Sequence, residues 1–474
     1  MNRREFFTKS VMATYAAASL PAFGSPADET GPLTITVRTD RPAYSIAPDF
    51  MGLGYEISSV SRPGLLSASN KVYVQLVRTL STRGVIRIGG NTSDFARYSA
   101  ADTPVSSAFG TVVNDAVLND LGGFLEATGW KLIWGLNLGK GSEADAIAEA
   151  QAVLAIAGRN LLAFEIGNEP DLFSNAKHRK PGYTYDDWIT EYRSYKNALR
   201  ARFPQIPFAG PDAAGKTDWV TRFAKDEGKD IVLLTQHYYR EGQNPTSTIE
   251  KLLGSDPKLQ PRLDQLSAAS KTSGLRYRIC EVNSFSGGGR PGVSDTMAGA
   301  LWALDYMFTL ANYGCSGVNM ETGVNHRDFI SSYSPIGDDE QGHYSVKPEY
   351  YGMLAFSLAG KGRLLETQMD STAPEVKTYA TQPDRGMLTL TSINKGSAPR
   401  ALTLAIGETM KGKRASVIRL SAPSVDANTG VTLGGAEVAA TGTWEPSKPE
   451  VAQVYNRRLE INLPAASAVI VQIA

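Results

Sequence analysis

Short apolar runs alternate with amphipathic stretches through the middle of the chain. The runs are FMGLGYEIS (50–58), GVIRIGG (84–90), KLIWGLNLG (131–139), LLAFEIGNEP (161–170), IPFAGPDAA (206–214), IVLLTQHYY (231–239), YRICEVNS (277–284) and GVNMETG (317–323). They are continuously apolar rather than alternating, as strands covered on both faces must be. Between them lie segments with helical spacing, among them 114–129, 143–157, 184–203 and 293–313. Eight strand–helix units predict a (β/α)8 TIM barrel over residues 47–362. A doubly wound open sheet is the competing arrangement. It calls for a glycine-rich phosphate loop after the first strand, and GLGYEIS is not followed by one.

The rhythm changes at residue 363. Segments such as EVKTYATQ, GMLTLTSINK, RALTLAIG and RASVIRLSA alternate apolar and polar positions and are separated by Gly, Pro, Ser and Asn. That pattern predicts a C-terminal antiparallel β-sandwich domain over 363–474. A further alternating strand, LTITVRTDRPAYSI (33–46), precedes the barrel and is expected to join the sandwich.

The first 27 residues do not read as fold. Arg3 and Arg4 are followed by an apolar stretch and then by small residues, the form of a twin-arginine-type signal peptide. A bacterial protein exported to the periplasm or secreted is the corresponding expectation. A short membrane anchor is the other reading, but the run is brief for a span, and no other stretch offers one.

Composition narrows the partners. The 474 residues carry 48 Lys+Arg against 48 Asp+Glu, without the basic excess of a nucleic-acid binder. Cys280 and Cys315 are too few for a disulfide framework, and their apolar surroundings favour buried thiols. No His/Cys/Asp spacing suggests a metal site, and neither a cofactor nor a nucleotide is expected.

The candidate chemistry lies at the C-terminal ends of the strands, where barrels of this kind carry function. Glu56 follows the first strand, Arg87 and Asp94 accompany the second, and Asn168 and Glu169 close the fourth. His237 and Tyr239 stand at the sixth and Glu281 at the seventh. Either Glu169 or Glu281 alone reads equally well as a rim ion-pair partner or a helix-capping carboxylate. Strands four and seven face each other across a barrel mouth, however, and two carboxylates converging there suit glycosidic bond cleavage.

Asn-Glu-Pro ending strand four, with a glutamate ending strand seven, resembles the clan of retaining glycoside hydrolases on (β/α)8 barrels. More narrowly, IRIGGNTSDF (86–95), WGLNLG (134–139), EIGNEPDLF (165–173), QHYY (236–239) and EVNSFSGGG (281–289) resemble glycoside hydrolase family 79. That is the family of heparanase and β-glucuronidases. The resemblance implies that Glu169 is the general acid/base and Glu281 the nucleophile, supported by Arg87 and Tyr239. It also implies that Asn168 bonds the sugar 2-hydroxyl and that Glu56 and Asp94 accept from the 3- and 4-hydroxyls. His237 is expected as a hydrogen-bonding support rather than a metal ligand. Gly287 and Gly288, with Tyr333 from the loop after strand eight, resemble the family's uronic acid clamp. The glycine run also offers backbone N–H groups as a nest for a carboxylate.

The chain departs from the family at Ser286, where heparanase-like members carry a tyrosine before the glycines. The smaller residue leaves room for a sugar substituent such as a 4-O-methyl group. The expected activity is a retaining exo-β-glycosidase, foremost a β-glucuronidase, acting on uronic acid-containing glycans or glucuronides. The alternatives are a xyloside-, galactoside- or 4-O-methylglucuronide-specific relative, and a non-catalytic carbohydrate-binding protein. A basic loop, AKHRKPGY (176–183), reads either as a guide for an acidic chain or as a solvated loop.

Overall fold

The apolar runs become an inner sheet because a strand lying between two layers has no side left for water. In the computed structural model the parallel strands are β1 (Gly52–Glu56), β2 (Val85–Gly89), β3 (Lys131–Leu136), β4 (Leu161–Ile166), β5 (Ala209–Ala213), β6 (Leu233–Gly242), β7 (Tyr277–Ser286) and β8 (Val318–Glu321). The structure describes residues 32–473 except 323, 327–328, 340, 384–386, 407–413 and 448–449, so the leader expected at 1–27 lies outside the described residues. The eight strands run in the order β4-β3-β2-β1-β8-β7-β6-β5. A bridge between Phe164 and Phe208 joins the ends of that row, and the Phe164 amide donates to the Pro207 carbonyl at 2.9 Å. The barrel is thereby nearly closed.

Local sequence sets the helices around it. Asn114 caps Asp115–Thr128 by accepting from the Val117 amide, and Gly129 ends it at φ 72°. Glu143–Ala157 and Tyr185–Arg202 each begin with a capping box, Ser142 with Asp145 and Thr184 with Asp187. Met297–Asn312 is apolar nearly all round because it is covered on both sides. Its Asp305 accepts at 2.6 Å from Tyr379, in the carboxyl-terminal sheet, and at 2.8 Å from Lys395, just after the strand Leu388–Asn394. No helix among the described residues is long and apolar enough to cross a membrane.

Among the described residues that carboxyl-terminal sheet has ten strands, nine of them in one continuous hydrogen-bonded row and the tenth, Glu450–Gln453, paired with Arg414–Ser421 off that row. Leu33–Ser45 lies within the row, antiparallel to Arg363–Met369 on one side and parallel to Arg400–Ala405 on the other. The remaining pairings are antiparallel. Leu33, Ile35, Leu390, Leu404, Ile461 and Val471 come from distant parts of the row yet share one core, so the sheet wraps over itself as a sandwich does. Cys280 and Cys315 are both buried and free.

Arg278 secures the floor of the barrel. It is 2% exposed, and its guanidinium donates to the carbonyls of Asp49, Phe50, Met51 and Val318 and to the Asn319 side chain, at 2.6–3.3 Å. Replacing it by an apolar residue orphans those carbonyls where water does not reach. Arg278→Met should lower the unfolding free energy by about 3 kcal/mol, read as a reduced midpoint in urea. An unchanged midpoint would contradict this account of the floor.

Candidate active site

The ends of the strands turn one guanidinium into the hub of the barrel mouth. Arg87, in β2, is fully buried. Its Nη1 donates to Glu281 Oε2 at 2.9 Å, and its Nη2 donates to Asn168 Oδ1 at 2.9 Å and to Asp212 Oδ2. Its Nε donates to Glu165 Oε2 at 3.2 Å. Burial alone would destabilise the cation, but Asp212, Glu165 and Glu281 outweigh it and hold Arg87 firmly charged.

His237, midway along β6, is the second hub. Its Nε2 lies 2.7 Å from Asp212 Oδ1, its Nδ1 lies 3.0 Å from Glu169 Oε1, and Glu281 Oε2 is 3.7 Å from Nδ1. Burial works against the imidazolium, yet Asp212 and Glu281 more than offset it, so the pKa stands well above the ordinary histidine value. Asp212 shows the converse. Burial would raise its pKa, but Arg87 and His237 hold it down at about 2.

Glu169 caps the turn after β4 with φ 50°, a left-handed conformation that non-glycine residues avoid. Its amide donates to the Asp212 carbonyl at 3.0 Å, and Asp212 is itself left-handed at φ 60°. The two turns brace each other. Asp171, two residues on, accepts from the amides of Ala214, Gly215 and Lys216 at 2.8–3.0 Å and ties the same two loops together. The Glu169 carboxyl is raised above its ordinary pKa by burial first, with Glu281 adding to the rise and the hydrogen bond from His237 opposing it. Across the mouth, Glu281 accepts from the Tyr239 hydroxyl at 3.0 Å.

Glu169, His237 and Glu281 place one oxygen or nitrogen each within 4.8 Å of one another. Such a trio has the composition of a metal site. Both nitrogens of His237 are already turned to carboxylates, however, and a doubly protonated ring donates rather than ligates.

The remaining expected residues surround this centre. Glu56 accepts from the amides of Asn91 and Thr92 and from the Thr92 hydroxyl, at 2.7–3.1 Å, and burial raises its pKa to about 7. Asp94 accepts from the amides of Leu138, Gly139 and Asn168 at 2.8–3.2 Å, and burial lifts it to about 7 as well. Both carboxylates therefore hold loops in place, whatever else they do. Gly287 and Gly288 adopt φ 80° and 90°, conformations open to glycine. The Gly288 carbonyl accepts from the Ser332 amide at 2.6 Å, which seats the glycine run against the Tyr333 loop. Tyr333 stacks on Tyr239 at 6.1 Å and 29°. The basic loop is largely committed to structure: Arg179 pairs with Glu191 at 2.7 Å, and His178 packs between Phe95 and Phe173.

Two residues of the centre escaped the sequence reading, Asp212 and Glu165. Both sit inside apolar runs, one in AGPDA and one in LLAFEI. Each was detectable only as an acidic residue in a strand with no solvent-facing side. Burial, followed by the charge of Asp212, raises Glu165 to about 7.

Paired carboxylates across the mouth of a (β/α)8 barrel that carries an antiparallel sheet define a glycoside hydrolase, and the comparisons with known proteins agree. Residues 378–470 match the glycosyl hydrolase family 79 C-terminal beta domain. A beta-glucuronidase of Aspergillus niger is 26% identical over 83% of this chain and 81% of its own. Mouse heparanase is 25% identical over 68% of this chain and 71% of its own. A 4-O-alpha-L-rhamnosyl-beta-D-glucuronidase from Fusarium oxysporum has a similar fold, with a TM-score of 0.75 over 93% of this chain and 100% of that one at 20% identity. An alpha-L-arabinofuranosidase from Thermotoga maritima gives 0.69 over 93% and 99% at 15% identity. The chain thus resembles glycoside hydrolase family 79 in its C-terminal domain and, at 25–26% identity, over most of its length.

Arg87 neutralises the buried carboxylates of Glu165, Asp212 and Glu281. Arg87→Met should cost about 3–5 kcal/mol of stability by leaving them buried without a counter-charge. Denaturant unfolding measures this, and a loss below about 1 kcal/mol, the range of an exposed ion pair, would contradict it.

Proposed function

We propose that the chain is a retaining exo-β-glucuronidase in which Glu281 is the nucleophile and Glu169 the acid/base. The observation that carries the reading is the approach of Glu169 and Glu281 to within 4.8 Å, oxygen to oxygen. Inversion needs room for a water and carboxyls roughly 6.5–9.5 Å apart, whereas retention needs about 5 Å. Their surroundings differ as the two roles require. Glu281 receives hydrogen bonds from Arg87 and Tyr239, which orient the attacking carboxylate. Glu169 is raised by burial and by Glu281, which favours the proton-bearing form.

In the first step Glu281 attacks the anomeric carbon while Glu169 gives its proton to the leaving oxygen. The glycosyl ester removes the charge of Glu281, so Glu169 becomes a stronger acid and is left ionised. In the second step it takes a proton from the water that cleaves the ester. Asn168, held by Arg87, is directed to the sugar 2-hydroxyl, and Glu56 and Asp94 to the 3- and 4-hydroxyls. The uronate carboxylate belongs to Gly287, Gly288 and Tyr333. The beta-glucuronidase and heparanase relatives support an acidic sugar at that position. A second reading, a glucuronate substituted at O4, is favoured by Ser286, which is half-buried at the end of β7. The same proposal includes export by the leader at 1–27 and the division into a barrel at 47–362 and a sandwich at 363–474, with the strand at 33–46 joining the latter.

Aryl β-D-glucuronide, 4-O-methylglucuronide, glucoside, galactoside and xyloside should separate the readings, with the glucuronide hydrolysed fastest. A glucoside cleaved as fast as the glucuronide removes the uronate clamp. Proton NMR of the first product should show the β-anomer, and the α-anomer appearing first rules out retention. Glu281→Gln should lower kcat by at least roughly 10⁴-fold, and unchanged turnover removes it as nucleophile. For export, Arg3→Lys with Arg4→Lys should keep the protein inside a bacterial host, read by cell fractionation. An unaltered distribution removes the twin-arginine reading.

A further inference from the structure

Asp212 touches no position where the sugar would react, yet it contacts the supports of both catalytic glutamates. Its Oδ1 meets His237 Nε2 at 2.7 Å, and His237 reaches Glu169 at 3.0 Å. Its Oδ2 accepts from Arg87, which donates to Glu281 at 2.9 Å. Its carbonyl accepts from the Glu169 amide, and its own amide donates to Thr235 Oγ1 at 3.1 Å. Glu165 on β4, Cys280 on β7 and Asp94 after β2 also feel its charge, and His237 faces Arg87 Nη2 at 3.4 Å and Glu281 Oε2 at 3.7 Å as well.

We propose that Asp212 is a positioning residue that keeps His237 as an imidazolium with its Nδ1–H directed at Glu169, and so sets the working range of the acid/base. This rests on the reading of Glu169 given above. The reason lies in the two forms of the ring. With only Nε2 protonated, His237 would present a bare Nδ1 lone pair to Glu169 and draw the carboxyl proton into a bond with itself. With both nitrogens protonated, Nδ1–H donates to one oxygen of Glu169, and the proton of the acid is left on the other oxygen for the glycosidic bond. The imidazolium also offsets the burial and the repulsion from Glu281 that push Glu169 upward. Without that offset, Glu169 would hold its proton too tightly and would be slow to act as base once the glycosyl ester has formed.

Asp212→Asn tests this directly. Arg87 has only donors, so the Asn oxygen must face Arg87 and its amide must face His237. His237 Nε2 then becomes an acceptor, and the ring stays neutral with Nδ1–H still in place. Geometry is conserved while the charge is removed. The alkaline limb of the pH profile of kcat/KM, which reports Glu169 losing its proton, should move up by about one pH unit. With 2,4-dinitrophenyl β-D-glucuronide, whose leaving group needs no acid, kcat should fall by roughly 10²-fold while kcat/KM changes little, because base-assisted deglycosylation is the impaired step. An unmoved limb, with kcat and kcat/KM falling together, overturns the proposal and leaves Asp212 a structural residue.

If Asp212→Asn does not fold, nitrogen-15 NMR of His237 in the unaltered protein decides instead. Both ring nitrogens should remain protonated from about pH 5 to 8, and a neutral ring within that range overturns the proposal. Glu169→Ala separates the two levels. It should slow a phenyl glucuronide far more than the dinitrophenyl one, and equal losses would remove the acid/base reading itself. If Glu169→Ala behaves as expected but Asp212→Asn does not move the limb, only the inference fails.

Discussion

A guanidinium taken fully out of water is stable only when acceptors replace its hydration, and the mouth of this barrel is organised around that demand. Arg87 finds Glu281 on β7, Asp212 on β5, Glu165 on β4 and Asn168 just after β4. The demand is mutual, since buried carboxylates are equally unstable without a cation. Strands that are far apart in sequence therefore have to end at the same height for any of these charges to be tolerated. The alignment that brings Glu169 to face Glu281 follows from that requirement.

Around this fixed centre the two glutamates receive opposite treatment. Glu281 is reached by a cation and a phenol, each of which donates a hydrogen bond to it. Glu169 is reached by a histidine whose own charge depends on a third carboxylate. The left-handed turns at Glu169 and Asp212 are strained conformations, and each is held by the hydrogen bond to the other's backbone. Backbone strain, buried charge and the two facing glutamates coincide in space, as such features do where function has priority over local preference.

Much of this was readable from the chain. The eight barrel strands announced themselves because strands enclosed by helices must be apolar throughout. Glu56, Asn168, Glu169 and Glu281 stood out as polar residues closing such runs. Asp212 and Glu165 did not, because an acidic residue within an apolar run carries no mark of the arginine that accepts it from another strand. The basic loop at 176–183 looked like a surface for acidic ligands, but Arg179 spends its guanidinium on Glu191 and on backbone carbonyls. The carboxyl-terminal strands were legible by alternation, whereas the parallel pairing of residues 33–36 with 402–405 was not. Strand pairing at such separation leaves no local trace.

That last pairing has a consequence for how the chain reaches its fold. The strand Leu33–Ser45 leaves the ribosome before the barrel, yet both of its neighbours in the sheet, Arg363–Met369 and Arg400–Ala405, are made after it. For most of that interval it presents two unsatisfied edges. Contacts of such long range are slow to form, and an exposed alternating strand is prone to pair with another chain meanwhile. The barrel can acquire its core from successive strand–helix units as they emerge, but the sheet beside it can close only when the strands that follow the barrel have been made. Truncations near the carboxyl terminus would thus free the amino-terminal strand along with the last ones, and whatever damages one end of the molecule is felt at the other.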